Sequence, residues 1–503
     1  MGMQELKEEP IEEDADRIRG RMITLNFGNV EGLPEEEQRM LNNLVKIYNY
    51  HQMKNDTKLR YYEGNIALCD VNLGIALPQN MLNLDIGCSW GAKTVDVLAG
   101  RSMFDGFVTE NGEEASLMTE IAKRNRLISE YAKACRDELT YGCTFATLSG
   151  EPDNATIRFY SPQSAAASWS AKKGRIDCGF AFQDAQKDES DINWSPMYVN
   201  LYTDTATWEL SRESGHWKAT EYPHKFGRPL MEPLIWNASS GKPFGQSRIK
   251  KPIRELIRGY VRTVANATIG LEFATSPQKY LLGVTDDQYE AVVDNKFKQY
   301  VGNILASTSN PETGQNPAFG QLAQGSIEPH VSMLRILSTQ FSAATGLTVT
   351  DTGVVNDANP TSSDAILAQS QTLVSLAEQL NIGNGDGMYQ IAQMALAIER
   401  GTTPDVLPEE DRGIVAHFKN PAMPSVAVTA DAAIKIAAAR SEFASTDTFL
   451  EMIGFDQADI RRIKAQEQRV RGQEMLNSLE FEEDETGSGQ TQEDQKNNPK
   501  AGE

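Results

Sequence analysis

The stretch that decides the fold is residues 244–283, which read FGQSRIKKPIRELIRGYVRTVANATIGLEFATSPQKYLLG. Its apolar residues recur at helical three-and-four spacing, and Pro252 suits the first turn of a helix that ends before Pro277. Such a helix has about 25 residues and spans roughly 37 Å. A second long helix is predicted from Ser362 to Gly401. On the helix pattern alone, a pair of ordinary core helices is the favoured interpretation. An elongated part of a larger assembly, rather than a catalytic cleft, is the alternative that the other segments must support.

A basic stripe lies on another face of the first long helix and consists of Lys251, Arg254, Arg258 and Arg262. Such a stripe can bind DNA phosphates, or it can be solvated or contact a neighbouring subunit. In a chain with so many acidic residues, carboxylates are abundant partners for such a stripe. We therefore predict that most of the stripe lies at a contact between neighbouring subunits.

Composition restricts the class of protein. The chain has 503 residues, 40% of them hydrophobic, and a formal net charge of −22, so it can bury a core but is too acidic to grip nucleic acid along its whole surface. The five cysteines have no metal or disulfide spacing, which favours a reducing compartment such as cytoplasm. No signal peptide and no apolar run of about 18 residues is found, so no membrane span is expected.

The order of predicted elements indicates an α+β fold that is mostly α. Aromatic and β-branched residues alternate with turn residues across 142–235, which predicts an antiparallel meander. Both termini, 1–20 and 480–503, are acidic and polar, hence predicted to be disordered. The remaining helices are predicted at 34–52, 90–98, 114–140, 327–344 and 430–479.

One string suggests an enzyme: residues 83–93 (NLDIGCSWGAK) resemble the glycine loop of Rossmann methyltransferases. That loop needs a strand, a tight glycine turn and a helix, but here Ser89 replaces the middle glycine and Trp90 would crowd the cofactor. Gly241-Lys242 is followed by proline and is not a phosphate loop. The five histidines have no metal-ligand spacing. We therefore expect no enzymatic activity, cofactor or metal.

Three strings together resemble the portal proteins of long-tailed, double-stranded DNA bacteriophages. Residues 90–107 resemble the family's W-x-x-x-x-V-D-x-x-x-x-R-x-x-x-x-G-F helix and turn. Residues 245–248 (GQSR) resemble the lead into the family's stem helix, which runs up to the F-x-x-x-P of 273–277. Residues 345–347 (TGL) with 359–366 (NPTSSDAI) resemble a third pattern, although Thr348 stands where the family often has proline.

The resemblance implies a domain organisation. The wing contains the antiparallel meander, the stem consists of long helices, the clip is a small α/β insertion and the crown is helical. The implied segments are an acidic flexible N-terminus at 1–33, the wing at 34–243, the first stem helix at 244–283, the clip at 284–326, the second stem helix at 327–345, a tunnel loop at 346–361, a long wing helix and connection at 362–424, the crown at 425–479 and the acidic tail at 480–503.

The resemblance also implies a function. Portals of this family form a ring, normally of twelve subunits, at one capsid vertex, and DNA is packaged and ejected through its channel. The partners it implies are terminase large subunit, a head-tail adaptor protein, and the major capsid and scaffolding proteins. The location would be the virion, with host cytoplasm during assembly. The loop residues that would face DNA are Thr350, Asp351, Gly353, Val354, Val355, Asn356 and Asn359.

The residues themselves are consistent with this implication. Gly346, Gly353 and Pro360 allow the sharp bends that a loop inside a channel needs. Two alternatives remain open: a scaffold ring that passes no DNA, and the methyltransferase-like enzyme.

Overall fold

The computed structural model describes residues 24–66, 86–109, 115–187, 194–213, 215–275, 279–282, 318–321, 326–354, 363–422, 426–455 and 457–485. The chain divides into two compact units, Met1–Ala422 and Met423–Glu503. Each unit is described by itself.

Eleven helices lie in the described residues. Their bounds are α1 Glu35–Glu63, α2 Trp90–Ala99, α3 Ser116–Arg124, α4 Leu127–Tyr141, α5 Lys251–Thr275, α6 Glu328–Thr345, α7 Ser363–Glu399, α8 Glu409–Arg412, α9 Val426–Ala439, α10 Asp447–Ile453 and α11 Gln457–Glu485.

Twelve strands lie in the same described part of the chain. Their bounds are β1 Phe104–Thr109, β2 Cys143–Ser149, β3 Thr156–Tyr160, β4 Ala165–Ser170, β5 Arg175–Lys187, β6 Trp194–Tyr202, β7 Ala206–Glu213, β8 His216–Pro223, β9 Met231–Ile235, β10 Lys279–Leu282, β11 Ala318–Gln321 and β12 Ile414–Phe418.

The predicted meander is antiparallel, as expected, but it forms two sheets. One has the order β3-β2-β9 and the other the order β4-β5-β6-β7-β8. The two sheets are separated at the turn between β3 and β4, and side chains of α1 hydrogen-bond to the backbone of this turn. The Tyr48 hydroxyl donates to Gln163 O at 2.6 Å, and Asn55 Nδ2 donates to Pro162 O at 3.3 Å. Leu41 and Leu44 of α1 pack in the core of the five-stranded sheet.

The predicted helix at 114–140 is two helices, α3 and α4. The break lies at Arg126, whose φ of 51° is left-handed. Asn125 holds the break in place, because its side chain donates to Ala155 O at 2.9 Å and accepts from Ile157 N at 2.9 Å. The prediction was wrong here because neither glycine nor proline marks the break, and its partners lie about thirty positions further along the chain.

Helix α7 has 37 residues and confirms the second long helix that the sequence predicts. Residues 391–399, at its C-terminal end, are all buried, and the helix packs against the three-stranded sheet. Glycine allows the close approach: a Cβ at Gly387 would lie 2.6 Å from Leu234 Cδ2 on β9. The sequence analysis did not predict β1 and β12, which pair antiparallel from Phe104↔Phe418 to Thr109↔Ile414.

The second unit contains α9, a 3₁₀ turn, α10 and α11, in agreement with the helical pattern of its sequence. The Thr446 side chain caps α10 by accepting from Phe449 N, and Lys464 on α11 pairs with Asp447 at 2.6 Å. Helix α11 continues to Glu485, so the disorder predicted from residue 480 is wrong for 480–485. The glutamates of this segment have high helix propensity, which permits the extension.

Candidate functional site

The two helices predicted to form a stem, α5 and α6, lie antiparallel. Arg248, just before α5, donates from Nη2 to Thr345 O at the end of α6, at 2.7 Å. The opposite ends of the helices lead to β10 and β11, which pair antiparallel from Lys279↔Gln321 to Leu282↔Ala318. We call α5, β10, β11 and α6 the helix pair. Most of the predicted clip, 284–326, lies outside the described residues.

The apolar stripe of α5 is buried, as predicted. Ile253, Ile257, Val261 and Ala265 are among the core residues. Gly259 permits close contact with α6, because a Cβ there would lie 3.2 Å from Leu337 Cδ2. The stripe therefore joins the two helices to each other and to the main hydrophobic core.

Trp90, the first residue of α2, packs against both helices. It is only 2% exposed; its ring stacks on Phe341 of α6 at 4.6 Å and lies 4.7 Å from the ring of Tyr260 on α5. Its Nε1 donates to Thr352 O at 3.0 Å. One side chain thus connects α2, both long helices and the segment after α6, which gives the tryptophan of the 90–107 pattern a packing role.

Arg248 is a second connection between the same elements. Its Nε donates to Thr94 O of α2 at 2.7 Å, in addition to the bond to Thr345 O. Burial lowers the pKa of this guanidinium to about 10. Its hydrogen bonds connect α2 to the end of α6, so the arginine of the GQSR pattern links these two helices.

The predicted tunnel loop is only partly described. Thr350, Asp351, Gly353 and Val354 lie in described residues, whereas Val355, Asn356 and Asn359 lie outside them. Thr350–Thr352 form a 3₁₀ turn, and Gly353 follows with a left-handed φ of 74°.

Asp351 and its neighbours are engaged within the turn rather than open to a ligand. Asp351 Oδ2 accepts from Thr348 N at 2.9 Å and from Thr348 Oγ1 at 2.8 Å, and Thr348 Oγ1 also shares a hydrogen bond of 2.8 Å with Thr350 Oγ1. Thr352 is buried and shares a hydrogen bond of 2.6 Å with Ser338 of α6. Residues 346–354 are therefore fastened to the helix pair.

The basic stripe lies on one side of α5, as predicted, but half of it makes contacts within its own chain. The guanidinium groups of Arg254 and Arg258 lie 5.9 and 5.8 Å from the centre of the Tyr61 ring on α1. Arg258 also pairs with Glu255 at 3.4 Å. Lys251 and Arg262 are exposed. A contact between subunits, if it uses the stripe, would rest mainly on these two residues.

The sequence analysis missed a basic cavity of about 670 Å³ between α1, β4 and the segment that leads into α5. Burial lowers the pKa of Lys58, which lines it, to about 8, and the positive charges of Arg254 and Lys54 add to the effect. Lys54 and Lys58 were not recognised as part of a site because the predicted first helix stops near Gln52. The basic lining residues are His51, Lys54, Lys58, Lys242, Lys250, Lys251 and Arg254.

The carboxyl group of Glu138, on α4, is fully buried. Its Oε2 accepts from Asn384 Nδ2 of α7 at 2.8 Å, and the same nitrogen donates to the Tyr131 hydroxyl at 2.8 Å. Burial raises the pKa of Glu138 to about 8, although the hydrogen bond from Asn384 opposes the rise. The folded chain therefore keeps this proton at neutral pH, whereas an unfolded glutamate titrates near pH 4.3.

We expect Glu138→Gln to stabilise the chain increasingly as pH rises. Between about pH 4.5 and 8 the unfolded glutamate loses its proton while the folded one keeps it, so the parent loses stability as pH rises. Glutamine carries no such dependence. Between pH 5 and pH 8, the unfolding free energy of the variant should rise relative to that of the parent by up to about 4 kcal/mol. Urea unfolding at both pH values measures it, with the exposed Glu151→Gln as control. Equal shifts for the two variants would contradict an ionisable, buried Glu138.

The glycine string at 83–93 does not form an open cofactor loop in its described part. Gly91 lies against the backbone of Tyr61, and Trp90 is buried in the helix pair. Every strand pair among the described residues is antiparallel, whereas a Rossmann fold needs parallel strands. Within those residues no group of three or more His, Cys, Asp or Glu side chains could hold a metal ion. None of the described helices is long and apolar enough to cross a membrane.

Comparison with known proteins gives only distant likenesses. No protein-family model and no curated protein matches the chain. A chain in the virion of a native gene transfer agent (GTA) particle is similar with a TM-score of 0.42 and 10% identity, over 73% of this chain and 89% of that chain. A chain in the neck of the native particle, computed with C12 symmetry, has a TM-score of 0.42 and 9% identity, over 73% of this chain and 89% of that chain. A chain in the neck of the empty particle, computed with C6 symmetry, has a TM-score of 0.42 and 10% identity, over 78% of this chain and 99% of that chain.

Proposed function

We propose that the chain is the subunit of a ring-shaped phage portal, through which double-stranded DNA enters and leaves a capsid at one vertex. The observation that carries the proposal is the helix pair: two long antiparallel helices, joined at one end to the wing by Trp90 and Arg248 and closed at the other by β10 and β11. A stem of this form extends beyond a globular body and can line a channel when it is repeated around an axis.

The outer surface of α6 supports assembly. Met333 and Ile336 are 43% and 52% exposed, and Gln340 and Ala343 continue the same face at helical spacing. Large apolar side chains on one helix face of an isolated chain favour burial against a second protein surface. We propose that the neighbouring subunit in the ring covers this face.

The charge of the chain supports passage of DNA rather than storage on the protein. A net charge of −22 for each subunit disfavours tight binding of phosphates, and bound phosphates would oppose sliding. The helix pair holds residues 346–354, and the rest of the predicted tunnel loop, 355–361, would reach the channel. Its proposed DNA-facing residues are Val355, Asn356 and Asn359. The residues that would support them, in the preceding part of the loop, are Thr350, Asp351, Gly353 and Val354.

The proposed role is non-enzymatic and depends on partners. The end of the helix pair that carries β10 and β11 would face terminase during packaging and the head-tail adaptor protein afterwards. The capsid and scaffolding proteins would contact the wing at the vertex of the virion, after assembly in host cytoplasm. A scaffold ring without DNA passage is the alternative, and it lacks a specific observation in its favour.

The purified chain should assemble into rings of about a dozen subunits with a central hole, because cyclic closure buries the α6 face of every subunit. Native mass spectrometry and negative-stain imaging test this. Ile336→Glu should shift the population to monomers and small oligomers, since it places a charge in each contact. Val406→Glu is the control, because Val406 is also apolar and is 68% exposed but lies outside the helix pair. Monomers and dimers only, for the parent chain at several salt concentrations, would contradict the proposal.

A further inference from the structure

The basic cavity carries a concentration of positive charge that is unusual for so acidic a chain. Six of its lining residues are Lys or Arg, and the described lining contains no Asp or Glu side chain. The seventh basic residue, His51, has a pKa lowered by burial and adds no charge at neutral pH. The whole chain, by contrast, has 70 acidic residues and 48 Lys and Arg residues. The lysines come from separate parts of the sequence, Lys54 and Lys58 from α1 and Lys242 and Lys250 from the segment before α5.

These cations are not neutralised by carboxylates within the described residues. Lys58 Nζ donates to Tyr141 O at 2.8 Å and to Asn55 Oδ1 at 3.3 Å, which are both neutral groups. Lys54 lies over the ring of Tyr50 at 4.0 Å. The N-terminus of α5 also reaches the cavity, and its free N–H groups add to the positive potential. The cavity therefore fits an anionic occupant.

The path of the chain brings one acidic segment close to this cavity. Leu25 N donates to Asn49 Oδ1 at 3.1 Å, and Asn49 Nδ2 donates to Leu25 O at 3.0 Å. Asn49 lies on α1 between Tyr48 and His51, which both line the cavity. The chain before Leu25 is thus attached within about one helical turn of the cavity wall.

The residues that precede this attachment are strongly acidic. Residues 5–16 read ELKEEPIEEDAD, with seven carboxylates and the single cation Lys7. An extended chain covers about 3.3 Å or more per residue, so the nine steps from Asp16 to Leu25 can span roughly 30 Å. That reach is enough to lay residues 5–16 across a cavity whose wall begins beside the attachment point.

We propose that residues 5–16 of the chain itself occupy the basic cavity as an acidic strap. The carboxylates of Glu8, Glu9, Glu12 and Glu13 would pair with the lysines at the mouth, Lys54, Lys242, Lys250 and Lys251. Charge-assisted hydrogen bonds of this kind are the stronger class, and because all four lysines are exposed the pairs should weaken as salt concentration rises. The strap would keep duplex DNA, or the acidic surface of a neighbouring subunit, from binding to these cations.

Zero-length carbodiimide cross-linking of the full chain tests the strap, because it joins a carboxylate to a lysine only where the two are in contact. Peptide mapping should find residues 8–16 joined to Lys54, Lys242, Lys250 or Lys251. Joint replacement of Glu8, Glu9, Glu12 and Glu13 by glutamine should reduce these products at least five-fold. Lys54→Glu combined with Lys250→Glu should do the same, whereas Lys172→Glu, at an exposed turn of the five-stranded sheet, should leave them unchanged.

A mixture of ¹⁴N- and ¹⁵N-labelled chains distinguishes the strap from the other occupants. Products within one isotope are expected. Mixed-isotope products alone would overturn the proposal in favour of a neighbouring chain. Absence of any cross-linked product at the four lysines would also overturn the proposal. So would the finding that a short DNA duplex protects these lysines from acetylation while residues 5–16 do not. A circular dichroism spectrum equal to that of the parent shows that each variant is folded, so a loss of cross-links reports on the strap alone.

Discussion

Gly91→Ala should destabilise the chain by about 3 kcal/mol or more, because the added methyl group has no space. A Cβ at position 91 would lie 1.7 Å from the carbonyl oxygen of Tyr61 and 2.6 Å from its carbonyl carbon. Both atoms belong to the backbone of α1, so no side-chain rotation relieves the overlap. Helix α2 would have to move away from α1, and the contacts of Trp90 with the helix pair would move with it. Urea unfolding followed by circular dichroism measures the loss.

Gly270→Ala is the matched control, because it makes the same chemical change inside a helix. No atom lies within 4 Å of a Cβ at Gly270 of α5. Alanine is the better helix former, so this variant should gain about 0.5–1 kcal/mol. If Gly91→Ala unfolds within about 0.5 kcal/mol of the parent chain, the close contact between α2 and α1 does not exist in solution.

Trp90→Ala should cost about 3–5 kcal/mol in unfolding free energy, the range for removal of a buried large aromatic residue. It removes the ring that lies between Phe341 and Tyr260, and it leaves Thr352 O without its donor. Because Thr352 anchors the segment after α6, hydrogen exchange should accelerate at residues 350–354 more than in the five-stranded sheet.

Trp90→Phe separates packing from hydrogen bonding at this site. It keeps an aromatic ring between the helices but removes the Nε1 donor, so the expected loss is about 1–3 kcal/mol, the cost of an unpaired buried carbonyl group. Hydrogen exchange at 350–354 should still accelerate. Exchange rates at those residues that match the parent in both variants would show that Trp90 does not hold this segment.

Local patterns in the sequence predicted the elements that are determined locally. The bounds of α5 follow from Pro252 and from apolar residues at helical spacing, and turn residues marked the strands of the meander. Contacts between distant residues determined the rest. The break at Arg126 depends on bonds from Asn125 to Ala155 and Ile157, and no local signal precedes it.

The candidate sites show the same limit. The basic stripe was visible in the sequence because its four residues share one helix, but the contacts of Arg254 and Arg258 with Tyr61 required the fold. The basic cavity combines α1 with a segment about 190 positions later, so no spacing rule could have found it. The loop motif was visible as a string, yet its attachment through Thr352 to Trp90 depends on residues 262 positions apart.

The pairing of β1 with β12 has a consequence for the time course of synthesis. Phe104 cannot find its partner Phe418 until four-fifths of the polypeptide has left the ribosome. Helix α7, whose buried face completes the same core, is also translated late. Because contacts between distant residues slow folding, a nascent chain would hold the early elements of the first unit without their complete core for most of translation. In the proposed ring, a chain truncated before Phe418 would lack this pairing and would therefore be a poor occupant of a subunit position.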